Sequence, residues 1–296
     1  MKKGIWYAVF AYIIWGLFPI YWKQLESLPA LQLIGHRILW SFLTLVIVIS
    51  IKQRWHSLQK LALKKRIIAR YSIAALLISS NWLTYIWAVN SGYIVEASLG
   101  YFINPLLSVL LGVIFFHEKL RPLQWLPILL VLAGVIQLTI THGTLPWISL
   151  ILALTFGLYG MVKKTAPLQP LFGLTIETGV LFAPALLFLI SCSYYGNTKI
   201  LGNGIVYDLL IISSGILTTV PLLMFSSATK RIPLSLIGIL QYITPTMQFL
   251  IGIFFYNEPF SRTELIGYCI VWIALIIFAV ESYLNRKIKP VIGTIE

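Results

Sequence analysis

A chain of 296 residues that is 59% hydrophobic and only 10% charged has too little polar surface to cover a soluble globule of its size. Its 22 Lys and Arg stand against 9 Asp and Glu, a balance that would suggest nucleic acid if the basic residues gathered on one face; instead they flank long apolar runs. Composition therefore excludes a water-soluble domain and a nucleic-acid partner, and makes the bilayer the solvent.

A membrane span needs roughly 20 predominantly apolar residues. In chain order, such runs are Ile5 to Trp22, Leu33 to Ile51, Tyr71 to Val89, Val95 to Phe116, Leu123 to Ile140, Leu145 to Val162, Leu171 to Ile190, Val206 to Thr229, Leu234 to Tyr256 and Leu265 to Tyr283. These predict an all-α polytopic membrane protein of ten transmembrane helices. With an inside N-terminus, 18 of the 22 basic residues fall in the inside segments, so the positive-inside rule puts both termini in the cytoplasm. The first run follows Lys2 and Lys3 but has no small-x-small cleavage site before Lys23, and reads as an uncleaved first helix. Cys192 and Cys269 have no metal-ligand spacing, and neither a metal nor a cofactor is expected.

Shifting the chain on itself exposes a repeat. At an offset of 140 residues, Ile103, Pro105, Leu110, Gly112, Phe115 and Glu118 fall on Ile243, Pro245, Leu250, Gly252, Phe255 and Glu258, and Ala88 falls on Ala228. An offset of 141 lays Trp15-Gly16-Leu17 on Phe156-Gly157-Leu158. Each half thus carries five spans, over 5–140 and 145–284. Because five is odd, halves with the same internal order enter the membrane with opposite polarity. Inverted repeats have a pseudo-two-fold axis in the membrane plane, and two near-equal packings of such a pair expose a central site to either side in turn, which is how secondary transporters are built.

Several stretches carry a family resemblance: His36-Arg37-Ile38-Leu39-Trp40-Ser41, Asn81-Trp82 with Ile86-Trp87-Ala88-Val89-Asn90, Glu96 to Pro105 (EASLGYFINP), and Gln241-Tyr242 with Pro245-Thr246. With the duplicated half, they resemble the EamA branch of the drug/metabolite transporter superfamily, and within it the chloramphenicol-sensitivity permeases, nearly end to end. One departure is His117 and Asn257, where relatives often carry Gly before the glutamate. The resemblance implies a multi-pass permease of the bacterial cytoplasmic (inner) membrane, each repeat being of EamA type, that moves a small-molecule metabolite. It implies no substrate identity.

Pro105 and Pro245 each prevent the bond to the carbonyl four residues back, on Tyr101 and Gln241, and predict kinks in the fourth and ninth helices. At 100° per residue, Tyr101, Asn104 and Ser108 share one face, as do Gln241, Thr244 and Gln248 in the other half. Such polar stripes are tolerated at membrane depth where they line a cavity or are buried in protein, so they are candidate substrate contacts or interhelical packing devices. Asn81, Trp82 and Tyr85 in the third span are candidates for amide and aromatic contacts. Arg37 with His36 lies near the outer end of the second span, where Glu96 is its expected partner, as a structural pair or as a gate. Glu177 occupies the position that His36 holds in the first half, and is either a proton carrier or a structural carboxylate. Glu118 and Glu258 read as solvated helix ends with basic neighbours. The His36-Arg37 pair favours an anionic or zwitterionic solute over a cation.

No Walker-type loop, HExxH or nucleophile elbow is present, so an enzyme or ATP-driven pump is not expected. The reading is a secondary transporter of a small organic metabolite or amphipathic drug-like solute. The alternatives are a channel or a non-transporting membrane scaffold or receptor. Oligomeric state and transport direction are not legible.

Overall fold

The computed structural model describes residues 2–56, 58, 64–90, 94–122, 125–126, 128–130, 132–133, 147–196, 200–202, 204–256, 269 and 272–273. Its helices are α1 (Lys2–Gly16), α2 (Phe18–Trp22), α3 (Ala30–Ile51), α4 (Lys65–Asn90), α5 (Ile94–Phe116), α6 (Trp147–Thr165), α7 (Pro170–Tyr194), α8 (Ile205–Thr229), α9 (Leu234–Gln241) and α10 (Ile243–Tyr256), with a 3₁₀ turn at Lys23–Leu25 after α2. Among the described residues, six stretches are long and apolar enough to cross a membrane: Lys2–Leu25, Ala30–Ile51, Trp147–Thr165, Pro170–Tyr194, Ile205–Thr229 and Leu234–Tyr256. A shorter apolar stretch is Ile103–Phe116. The protein is an all-helical membrane protein. The predicted fifth span is described only in part, and the predicted tenth lies almost wholly outside the described residues.

Proline sets many of the boundaries. Pro29 and Pro233 are the residues before α3 and α9, and Pro170 opens α7, each at a place where the missing N–H removes no intrahelical bond. The first predicted span is broken rather than continuous: α1 stops at Gly16 and α2 restarts at Phe18, because Pro19 has no N–H for the Trp15 carbonyl. Gln248 Nε2 on α10 donates to that carbonyl at 3.2 Å. Nearby, Thr244 Oγ1 donates to the Tyr12 carbonyl at 2.9 Å, and the Tyr12 hydroxyl donates to the Ile237 carbonyl at 3.2 Å. The ninth span is likewise split, at Tyr242, three residues before Pro245, whereas α5 is one helix with Pro105 inside it.

The most extensive helix contacts all join the first half of the chain, α1 to α5, to the second, α6 to α10. They come in matching pairs: α4 packs on α6 as α1 packs on α8, α5 packs on α6 as α1 packs on α9 and α10, and α3 packs on α8 as α4 packs on α7. Single residues repeat the pattern. Gly16 sits so close to Met247 that a Cβ would come within 2.8 Å of that side chain, and its repeat equivalent Gly157 faces Leu107, the equivalent of Met247, at 3.2 Å. Where the halves meet, Trp15 and Phe156 stand 6.0 Å apart between ring centroids, and Tyr12, Tyr159 and Phe225 complete an aromatic core.

The tightest approach is α3 on α8. A Cβ on Gly215 would overlap the Trp40 backbone itself, which no side-chain rotation relieves, and the Ser41 hydroxyl donates to the Gly215 carbonyl at 3.2 Å. Gly215→Ala is therefore expected to destabilise the folded protein by about 1–3 kcal/mol, the usual cost of overpacking; a lowered melting temperature in detergent, followed by tryptophan emission, checks this.

Candidate functional site

Between the halves lies a narrow slot. Ile38 and Ser41 of α3, Ile78 and Trp82 of α4, Tyr159 of α6, Leu174, Glu177, Thr178 and Leu181 of α7, and Thr218, Thr219 and Leu222 of α8 line it. The volume open to a water centre is about 10 Å³, room for about one water. The walls are mostly apolar, with a short row of hydroxyls and one carboxylate; the Thr219 Oγ1 atom is buried without a hydrogen-bond partner.

That carboxylate is the most buried acidic group at the slot. Glu177 is 2% exposed. Its Oε1 accepts from Lys163 Nζ at 2.6 Å and its Oε2 from the Tyr159 hydroxyl at 3.2 Å. Lys163 is itself 1% exposed, with its ammonium 5.5 Å from the Tyr159 ring centroid and 5.8 Å from that of Tyr71. The local sequence explains the arrangement: Tyr159 and Lys163 are one turn apart on α6, and so share a face, while Glu177 lies two turns into α7. Gly173, one turn before it, lets Tyr71 lie against the backbone of α7, and the Tyr71 hydroxyl accepts from the Leu168 amide at 3.0 Å. Removing one partner from a buried pair typically costs about 3–5 kcal/mol, because the other charge is left uncompensated.

A second charge stands on the other repeat. Arg37, at the position on α3 that Thr178 holds on α7, is sandwiched between two indoles, with its Cζ 4.8 Å from the Trp22 ring centroid and 4.5 Å from that of Trp82. Its Nε donates to Thr218 Oγ1 at 3.1 Å. Trp82 and Thr218 face the slot, but the guanidinium is not part of its wall. His36 is 1% exposed and its Nδ1 has no hydrogen-bond partner.

Of the residues the sequence singles out, Trp82 and Glu177 line the slot and Arg37 borders it. Asn81 Nδ2 donates instead to the Leu152 carbonyl at 2.8 Å and to Thr155 Oγ1 at 3.0 Å, fastening α4 to α6, and Tyr85 is partly exposed. Thr244 and Gln248 serve the carbonyls of α1, as above. Asn104 and Gln241 are buried on α5 and α9, which pack on each other, and each keeps a side-chain carbonyl oxygen without a partner. Pro105 lies in the same crossing, its carbonyl against Gly238. The side chains of Glu96 and Tyr101, and the whole of Glu258, lie outside the described residues.

Lys163 and Tyr159 were not singled out by the sequence reading. Lys163 is one of the 18 basic residues counted there in the inside segments; the available signal was that it falls four residues after Tyr159 and seven after Phe156, on the inward face of α6. Glu118 also differs from a solvated helix end. Its carboxylate accepts from the Leu234 amide at 2.7 Å, the Ser235 amide at 2.8 Å and the Ser235 hydroxyl at 2.7 Å, with Lys164 Nζ 3.4 Å away. It caps the start of α9 from the end of α5, filling amide positions that no side chain of α9 itself satisfies.

The EamA-like transporter family model matches residues 2–140 and again 145–280. The chain belongs to the EamA-like transporter family. Its two matched segments make it a protein of repeated halves, and it is a multi-pass membrane transporter rather than an enzyme. It is 44% identical over 281 residues to the uncharacterized transporter YojE of Bacillus subtilis (strain 168), covering 94% of this chain and 93% of that protein. It is 39% identical over 286 residues to Protein RarD of Escherichia coli (strain K12), covering 97% of both. The chloramphenicol-sensitive protein RarD of Pseudomonas aeruginosa is a more distant relative, 28% identical over 285 residues. A protein of known crystal structure shares the fold, with a TM-score of 0.71 over 95% of this chain and 98% of that one, at 17% identity.

Within this EamA-like transporter, Glu118→Ala is expected to lower stability by about 0.5–2 kcal/mol through loss of the α9 cap, with Glu118→Gln intermediate because an amide still offers one acceptor oxygen. Thermal unfolding of the two purified variants beside the parent protein checks the order.

Proposed function

We propose that this EamA-like transporter is a secondary carrier of ten spans in two inverted five-helix repeats, 5–140 and 145–284. It moves a small organic metabolite or amphipathic solute across the cytoplasmic membrane by alternating access, with both termini in the cytoplasm. The observation that carries the reading is the paired packing: Gly16 on Met247 and Gly157 on Leu107, with matching helix pairs throughout. Two halves that make the same contacts reciprocally have two nearly equivalent arrangements, and a solute site at their interface is then reachable from either side.

The solute site in this reading is the slot, with Trp82 offering an aromatic wall and Thr178, Thr218 and Thr219 offering hydroxyls, a combination suited to an amphipathic molecule. At about 10 Å³ the slot admits nothing larger than water, so this arrangement of the halves has to open before a solute enters. Asn104 and Gln241 are the polar contacts we assign to the path once the α5–α9 crossing loosens, since both hold a carbonyl oxygen in reserve; Asn81, Tyr85, Tyr101, Thr244 and Gln248 flank that path. Pro105 and Pro245 supply the helix irregularity, and His36, Arg37, Glu96 and Glu177 the gating or proton-coupling groups.

Reconstituted into vesicles, the protein is expected to give saturable uptake and counterflow with small organic solutes, and Trp82→Ala to raise the half-saturating concentration several-fold. Non-saturating flux without counterflow would make it a channel, and absence of flux for amino acids, nucleobases and chloramphenicol alike would make it a scaffold.

A further inference from the structure

We propose that Glu118 is a conformational latch: its carboxylate fastens the end of α5, in the first half, to the start of α9, in the second, and the halves part on that side of the membrane only when it lets go. The inference rests on the two-half carrier reading and names the contact that keeps one end shut.

The chain turns back on itself to form this contact. His117 is left-handed, with φ 51°, and the Glu118 amide donates to the Gly112 carbonyl at 3.2 Å, which returns the carboxylate over the last turns of α5. Gly112 makes the room: a Cβ there would come within 2.6 Å of Glu118 Oε2 and 3.0 Å of the Ser235 amide nitrogen. One carboxylate oxygen then takes the Leu234 amide, and the other takes both the amide and the hydroxyl of Ser235. Bonds to an ionised acceptor are about twice as strong as neutral ones, and at 13% exposure of the Glu118 side chain water competes with them weakly.

Lys164 reinforces the closure from the second half. Its Nζ donates to the Ile232 carbonyl at 3.0 Å and stands 3.4 Å from Glu118 Oε1 and 5.1 Å from the Phe116 ring centroid. Its repeat equivalent, Lys23, stands 6.0 Å from the ring of Tyr256, the equivalent of Phe116. A lysine-on-ring contact between the halves thus belongs to the repeated frame. The Ser235 hydroxyl bond is particular to one side, because the equivalent of Ser235 is Val95.

The latch lies where α1 begins, the cytoplasmic side in the proposed reading: Gly4 sits against Arg231 and Ile232, and the Arg231 guanidinium is 5.3 Å from the Tyr7 ring centroid. From there the α5–α9 crossing runs inward, with Gly112 at Ser235 and then Pro105 and Val109 at Gly238. The latch therefore stands at the head of the path assigned to Asn104 and Gln241. A cap that only stabilises the fold holds α9 in every arrangement of the halves, whereas a latch holds it in one, so its loss exposes the crossing selectively.

Thiol labelling tests this. Val109→Cys puts a reporter at a buried position of the crossing, and Ile148→Cys puts one at the opposite end of α6, in the cluster with Ala88; both are built with Cys192→Ala and Cys269→Ala. The purified proteins in detergent micelles are reacted with a sulfonated, water-soluble maleimide, and the rate is followed by mass. Glu118→Gln is expected to speed labelling of Val109→Cys about 10-fold, and Ser235→Ala, which removes one hydroxyl bond, about 3-fold, with the Ile148→Cys rate unchanged by either. Should Glu118→Gln fail to fold, the smaller rise with Ser235→Ala decides. An unchanged Val109→Cys rate overturns the latch, as does an equal rise at both reporters, the mark of a general loosening. Labelling needs no solute: flux without the selective rise removes the latch and leaves the carrier reading, and the selective rise without flux does the reverse.

Discussion

A carbonyl or amide buried in hydrocarbon has no water to bond, so every break in a membrane helix must be repaired by another part of the protein. That requirement organises this structure. Pro19 interrupts the first span and releases the Trp15 carbonyl, and Gln248 reaches from α10 to take it up. The start of α9 leaves amides open, and Glu118 crosses from α5 to close them. In both cases the repair comes from the opposite half of the chain. The irregularities that weaken single helices are thus what bind the two halves to each other.

The same logic governs charge. Glu177 sits where a lone carboxylate would be prohibitively expensive, and Lys163, Tyr159 and the ring of Tyr71 surround it. Arg37 has two indoles and a threonine hydroxyl among its partners. The repeat-related helices α3 and α7 therefore carry different chemistry at equivalent positions of the repeat: His36 and Arg37 on one, Glu177 and Thr178 on the other. Duplication supplied a symmetric frame, and the polar residues within it are not symmetric. A transporter built this way has two similarly packed halves around a chemically polarised middle.

How much of this was legible in the sequence depended on the range of the signal. Helix lengths and the repeat were readable because apolar run length and a constant residue offset are local or additive properties: α8 begins one residue before the predicted start and ends where predicted, at Thr229. The break at Gly16–Phe18 was missed because the apolar run continues straight through it, while the Pro19 signal for it was present. The partners of the polar residues were not readable. Thr244 and Gln248 mark a polar stripe in any reading, but only the packing of α10 on α1 determines that the stripe meets backbone carbonyls. Lys163 was hidden by Lys164, which gives the end of α6 the look of an ordinary cytoplasmic terminus; the burial of one and not the other is decided by a rotation of one residue about the helix axis.

The pairing of Lys163 with Glu177 has an electrical consequence. A bilayer potential does about 2.3 kcal/mol of work on each elementary charge per 100 mV, and the two residues together carry none. In the proposed cycle, the return of the unloaded protein draws nothing from the field through this pair. Moving the pair across the field as one unit therefore costs nothing, whereas moving either residue without the other costs the full amount for its charge.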